Sequence, residues 1–364
     1  MSLPALQQVG DGTVRLNGGL ASLDLSGLAT VDDGLAITNN ALTQLDLSAL
    51  VTAGGRFDIS RNGLTDLDLS SLQSVGWLRV TTEDLSTLSL PSLATATDRV
   101  ELRDLAGMVT LSMPMLQDVT NLVQIINSSV LDAVFLPSLT SNTSVTVSGG
   151  PLMTVVSLPG LVEANVFLSA LPVLGGFDLS SLQRGGLSVR STGLTTLDFA
   201  FDTLAFATIR ENPALGSVVL RGSVLEDLDT SFNPVLTSLE LDVTTAGDML
   251  VFNNDALATF DATSTALVGN GGASISSNPQ LVRLDFSALV DAPGHELSIR
   301  DNDLLTDIRL QNLQTIDELR IESDVVTALD LGSLTTVVPP GCFFGCIDLA
   351  TPNLTTIDLG NLVS

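Results

Sequence analysis

The chain has no lysine and no tyrosine, and only one tryptophan, one histidine and two cysteines in 364 residues. Each shortage removes a class of function. All 14 positive charges are arginines, against 41 acidic residues, for a net charge of -27. A polyanion of this kind is a poor partner for nucleic acid, whose binding rests on Lys and Arg neutralising phosphates. An anionic membrane surface would repel it as well. One histidine cannot build a multi-histidine zinc site, and two cysteines cannot build a disulfide-dense scaffold. No apolar run approaches 18 residues, so no transmembrane helix is expected. Charged residues make up only 15%, below the usual share of about 25%, while 45% are hydrophobic. That composition supplies a core and excludes an acidic disordered tail.

What the chain does have is a repeat. The clearest copies read GLAITNNALTQLDLSALVTAGG (34–55) and FDISRNGLTDLDLSSLQSVG (57–76). The second apolar residue of the Leu-Asp-Leu element recurs at sixteen positions from Leu25, Leu47 and Leu69 to Leu331 and Leu359. The spacing runs from 20 to 24 residues except for a final step of 28. Such regularity predicts one all-β solenoid of about 16 coils over residues 1–364. An N-terminal cap would occupy 1–13, the repeats 14–336, and a C-terminal cap with the cysteine pair 337–364.

Each coil shows three apolar stations. The first is apolar-x-apolar, as in Leu35-Ala36-Ile37; the second is Leu45-Asp46-Leu47; the third is a looser pattern such as Leu28-Ala29-Thr30-Val31. Alternation of period two marks half-buried strands at the first two stations. The third reads as a further short strand or a 3₁₀ turn. A lone coil buries nothing, but stacked coils align leucine on leucine. Three residues past the inward residue of the first station stand Asn40, Asn62, Asn212, Asn233, Asn254, Asn278 and Asn302. An inward asparagine there can satisfy turn backbone groups of its own and the next coil.

The pattern G-L-x-I-x-x-N-x-x-L-x-x-L-D-L-x-x-L-x-x-V-x-G resembles the receptor L domain, a relative of leucine-rich repeats that forms the ligand-binding lobes of insulin and epidermal-growth-factor receptors. The resemblance covers the chain from about Leu3 to Val363. It implies a right-handed β-helix-like solenoid of short parallel strands. Sixteen coils without Cys-rich neighbours look more like a bacterial secreted or surface member, and no receptor contact residue transfers.

Candidate sites are few. His295, in Ala-Pro-Gly-His-Glu, is a poor catalytic candidate, and no catalytic residue or cofactor is assigned. The middle residue of Leu-Asp-Leu points outward and is aspartate in runs such as Asp24, Asp46 and Asp68. Carboxylates about 5 Å apart on neighbouring coils repel, so these are screened surface positions or, alternatively, ligands for Ca²⁺. Between Thr120 and Phe177 only Asp132 and Glu163 are charged. Outward positions there hold Ile126, Phe135 and Phe167, a candidate patch for a partner or a second copy in a homodimer. Arg190 and Arg210 fall at the same position of successive coils and suit either a carboxylate or sulfate clamp or ion pairs with nearby acids.

The expected function is a non-catalytic, extracellular or cell-surface solenoid binding a protein or glycan ligand. A structural envelope or adhesin spacer is the alternative, and a polysaccharide-acting β-helix enzyme a more distant one. Cys342 and Cys346 form a Cys-x-x-x-Cys pair read as a local disulfide in an exported protein, rather than a redox or metal pair. Reduction should then add about 2 Da to the intact mass, whereas free thiols in freshly purified, unreduced protein would contradict the pairing.

Overall fold

The alternating segments form strands, as their period requires. The computed structural model of the chain describes residues 1–10, 14–267, 272–337 and 347–362. Among these, every regular element is a β-strand and none is a helix. The chain divides into two compact units, Met1–Leu182 and Gln183–Ser364. Each is a parallel-strand solenoid, with about 15 turns in all. Cys342 and Cys346 lie outside the described residues.

In the first unit the first-station strands are Val14–Asn17 (β1), Leu35–Thr38 (β2), Thr52–Ser60 (β3), Ser74–Thr81 (β4), Thr95–Arg103 (β5), Leu122–Ile126 (β6), Thr143–Ser148 (β7) and Glu163–Leu171 (β8). Each pairs in parallel with the next, so Leu35, Phe57, Leu78 and Val100 stand in one row. In the second unit the series continues with Arg184–Thr192 (β9), Thr203–Arg210 (β10), Ser217–Ser231 (β11), Ser238–Phe252 (β12), Gly272–Ser276 (β13), Asp291–Arg300 (β14), Thr315–Glu322 (β15) and Ile347–Ala350 (β16). The Leu-Asp-Leu elements make shorter strands. Thr110–Ser112, Ala133–Phe135, Val155–Ser157 and Gly176–Asp178 form one four-stranded parallel sheet.

The third station differs from the separate element expected. It stands alone at Gln8–Val9, Thr30–Val31, Asp118–Val119, Ala266–Leu267 and Thr336–Val337, but in coils such as those of β3, β4 and β5 it runs directly into the following first-station strand. Thr52–Ala53 and Ser74–Val75 open β3 and β4, and the register shifts between Ala53 and Arg56 where the chain bends. The bend brings backbones very close: a Cβ on Gly76 would lie 2.3 Å from the Gly54 carbonyl oxygen. Between the second and third stations the chain reverses through tight turns, with Leu28 N–H donating to Leu25 O, Leu50 to Leu47 and Leu72 to Leu69.

The core is built of rows. Leu28, Leu50, Leu72, Leu93, Leu116, Leu139, Leu161 and Leu182 are all fully buried, one from each coil of the first unit. Each buried leucine contributes about 2 kcal/mol of apolar transfer, so the stack holds only while every coil supplies its member.

The corner after most first-station strands follows a rule that composition did not reveal. A residue in the left-handed region ends the strand: Asn39, Arg61, Asp104, Asn127 and Ala170 in the first unit, and Ser191, Glu211, Phe232, Asn253, Ser277 and Asp301 in the second, all at φ between 52° and 56°. Left-handed geometry costs a residue with a Cβ about 1 kcal/mol or more. Where a buried asparagine follows, its hydrogen bonds offset this; after Asp104, Asn127, Ala170 and Ser191 the place is held by Leu105, Ser128, Leu171 and Thr192 instead. In the second unit the side-chain oxygen of Asn233 accepts from both the backbone N–H and Nδ2 of Asn212, each at 3.1 Å. Asn254, Asn278 and Asn302 repeat the arrangement on Asn233, Asn254 and Asn278. Each Nδ2 also donates to a strand carbonyl of the preceding coil, as from Asn254 to Thr230 at 2.9 Å. The side chains therefore clamp their own coil to the preceding one, where the following one was expected. Asn40 and Asn62 bond Leu16 O and Ile37 O in the same way.

Replacing Asn254 with alanine strips partners from buried backbone groups of two coils. Urea unfolding should show a loss of about 2–3 kcal/mol, and a smaller loss for Asn40→Ala, whose site is less enclosed.

Candidate binding face

Every second residue of a first-station strand points outward. In β3 to β6 these outward residues are unlike those elsewhere. The register aligns Arg56, Trp77, Arg99 and Leu122 in one column. A second column runs Asp58, Arg79, Glu101, Gln124, Thr146 and Phe167. A third runs Ser60, Thr81, Arg103, Ile126, Ser148 and Ser169. Five of the 14 arginines thus lie between residues 56 and 103, four on this face and Arg61 at its corner.

The charged half is a connected network. The guanidinium groups of Arg56 and Arg99 lie 4.3 and 4.9 Å from the Trp77 ring centre, reaching it from the two flanking strands. Such contacts contribute about 0.5–1 kcal/mol each at exposed sites. The indole N–H donates to Glu101 at 3.2 Å, and Glu101 also accepts from Arg103 at 2.8 Å. Arg56 bonds Asp58 at 2.5 Å. Nothing in the repeat consensus pointed to this cluster, because its members sit 21 to 24 residues apart and differ in type from coil to coil. The single tryptophan and the grouping of arginines were the available signals.

From β6 to β8 the same face is uncharged apart from Glu163 at the head of β8: Leu122, Gln124, Ile126, Ser144, Thr146, Ser148, Asn165, Phe167 and Ser169 occupy it. The two charges within the band are engaged at its margins, Glu163 by Asn142 Nδ2 at 2.9 Å and Asp132 by the Thr154 hydroxyl. Ile126 and Phe167 share this face but stand in different columns. Phe135, 38% exposed, lies on the outer face of the other sheet beside Ser112 and Ser157. The three residues sit where their stations put them in the sequence, Ile126 and Phe167 on the first-station face and Phe135 on the second-station face.

The aspartates of Leu-Asp-Leu have a local explanation. Asp24, Asp46 and Asp68 each accept the backbone N–H two residues on, at 3.1, 3.0 and 2.8 Å. Asp178, Asp261, Asp285, Asp330 and Asp358 do the same. This Asx turn shapes the exit from the second station and explains why Ser, Thr or Gly follows two residues later. Hydroxyl donation from Ser26 and Ser2 lowers the Asp24 pKa below its ordinary value. Among the described residues no three acidic, histidine or cysteine side chains are placed to hold a metal ion. The calcium reading of Asp24, Asp46 and Asp68 gains no support from this geometry.

Arg190 and Arg210 do align, but both are engaged. Arg190 makes a two-pronged bond to Glu211 at 3.0 and 2.7 Å, while Arg210 pairs with Asp229 and covers the Phe232 ring. The His295 side chain lies outside the described residues.

No protein-family model matches the chain, and no curated protein matches it. Solved structures resemble it in repeat architecture. A leucine-rich repeat protein from Bacteroides ovatus is 13% identical over 85% of this chain and 86% of its own, with a TM-score of 0.46. YopM from Yersinia enterocolitica is 16% identical over 97% and 90%, with a TM-score of 0.24. TLR13, solved in complex with a single-stranded RNA, is 13% identical over 93% and 71%, with a TM-score of 0.21.

Asp285 supplies a pH test of the surface charges in the second unit. Burial pushes its carboxyl up, but hydrogen bonds from Arg283 and Ser287 more than offset this, and the pKa falls below the ordinary carboxylate value. A lowered folded-state pKa stabilises above the unfolded value, about 3.9, and that stability is lost as pH falls through the lowered value. Melting temperature against pH should therefore fall less steeply below about pH 4 in Asp285→Asn than in the parent protein.

Proposed function

We propose that the chain is a non-catalytic binding scaffold, extracellular or at the cell surface, that holds a protein or glycan against the outer face of β3 to β8. The supporting observation is the uncharged half of that face. In a chain of net charge -27, three successive strands present Leu, Ser, Thr, Asn, Gln, Ile and Phe outward, with a single formal charge, Glu163 at the head of β8, which Asn142 engages. Charge depletion at the centre with polar groups at the rim is the composition of a protein-contact surface. The charged half supports a non-catalytic reading. Its carboxylates Asp58 and Glu101 are ion-paired with Arg56 and Arg103. The resemblance of the repeat to receptor L domains agrees with this reading, and the Cys342 and Cys346 pair in the sequence is what favours an exported chain.

The test is to place charge on the band. Thr146→Glu combined with Phe167→Glu changes neighbours in one column and leaves the Arg–Trp network alone. Affinity capture from the source organism's surface fraction should recover the same partner with the parent protein and with a doubly substituted control in the second unit, and lose it with this variant. Sedimentation run alongside shows whether the partner is a second copy. A monomeric parent whose captured partner is unaffected by the variant would overturn the reading.

A further inference from the structure

At one corner of the same face, the regular pattern of the solenoid fails. Among the described residues no positive φ occurs between Arg61 and Asp104, so the coil of β4 turns without the left-handed residue its neighbours use. Thr82 is buried in the place that asparagine holds in the coil before, and its hydroxyl reaches Leu64 O only at 3.4 Å. A groove of about 640 Å³ opens there, lined by corner residues of consecutive coils. Its volume lies in the range of small-ligand sites, about 300–1,000 Å³, but its lining is polar where such sites are mostly apolar.

The groove also gathers unmet hydrogen-bonding capacity. Asp58 has its side chain 7% exposed; one oxygen is held by Arg56 and the other, Oδ1, has no partner. Asn62 Oδ1, Thr81 Oγ1 and the Nε atoms of Arg79 and Arg103 are likewise buried without a hydrogen bond, Arg79 Nε having only a 4.0 Å ion pair with Glu101. These five are half of the ten such atoms among the described residues, and all belong to residues lining this groove. Elsewhere the corner asparagines have their oxygens filled, as Asn233 and Asn254 do. A buried unpaired polar group costs about 1–3 kcal/mol, so a cluster of them is expensive unless something else supplies the bonds.

The lining decides what that something is. Arg61, Arg79 and Arg103 would repel a cation; Asp58, Glu83, Asp84 and Asp104 would repel an anion. The signs nearly balance, and what remains unmet is a scatter of single donors and acceptors. A hydroxyl both donates and accepts, and a row of hydroxyls can serve both kinds of group. We propose that this groove binds a neutral, polyhydroxylated ligand, a short stretch of uncharged saccharide. The inference deepens the glycan half of the reading above, and it rests on a part of the face separate from the uncharged band.

Saturation-transfer difference NMR tests it with maltotriose, cellotriose, mannotriose and chitotriose as probes, and with triglycine and trigalacturonate as zwitterionic and anionic controls. At least one neutral probe should bind with a dissociation constant below about 10 mM. Thr81→Val, which keeps the β-branched shape and removes only the hydroxyl, should weaken it about tenfold while the melting temperature of the free protein stays at or above that of the parent. Thr146→Glu with Phe167→Glu should leave it unaffected, which separates failure of the groove from failure of the band. Absence of binding by all four neutral probes, tighter binding of either control, or indifference to Thr81→Val would overturn the proposal.

Discussion

The structure depends on one requirement: a coil of this solenoid can satisfy its backbone only through its neighbours. Each strand is parallel to its neighbours, so no hairpin partner lies close in the chain. Its N–H and C=O groups must find partners about one coil away, and so must its corners. At the corners the requirement is most demanding, because the backbone reverses direction in a buried place. The asparagine ladder of the second unit meets it by having each side chain both accept from and donate to the preceding coil. The left-handed residue before each asparagine is the conformational cost of that geometry.

Function, on this account, is found where the requirement is relaxed or disguised. The outer face is free of it, since outward side chains carry no ladder bonds. That freedom allows Arg56, Trp77 and Arg99 to assemble across three coils, and lets the next coils shed nearly all their charge. The corner at Thr82 is the other exception. There, as at Ser323, the coil drops its left-handed residue, and at Thr82 buried polar atoms of the neighbouring residues stand without hydrogen bonds. Features that the repeat would normally eliminate, unpaired groups and a lone indole, persist side by side on the first unit.

Much of the fold was legible from residue spacing. Leu28 to Leu182 repeat as a row because a parallel stack must place like on like, and the inward asparagines were recognisable by position. The left-handed corners were not legible, since Arg61, Ala170, Glu211 and Phe232 are residue types with no preference for that region. The aspartates were visible but misweighted: their charge drew attention, while the Asx turn to the residue two positions on explains their recurrence. The third station was read as separate because sequence alternation does not show that a strand can continue through a glycine bend, as at Gly54 and Gly76. The binding face was the least legible part. Its residues meet only once the register is known, and its charge-poor half was noticed while its Arg–Trp half was not.

The claim that each coil is fastened to the preceding one through buried asparagines is tested most directly by hydrogen exchange, resolved to single amides. The backbone N–H groups of Asn212, Asn233, Asn254 and Asn278 each donate to the side chain of the next asparagine in the series. They should exchange only as slowly as the most protected strand amides of the second unit, such as those of β11 and β12, and by the same opening. Exchange at these four amides at the rate of exposed turns, while the strands stay protected, would contradict the account.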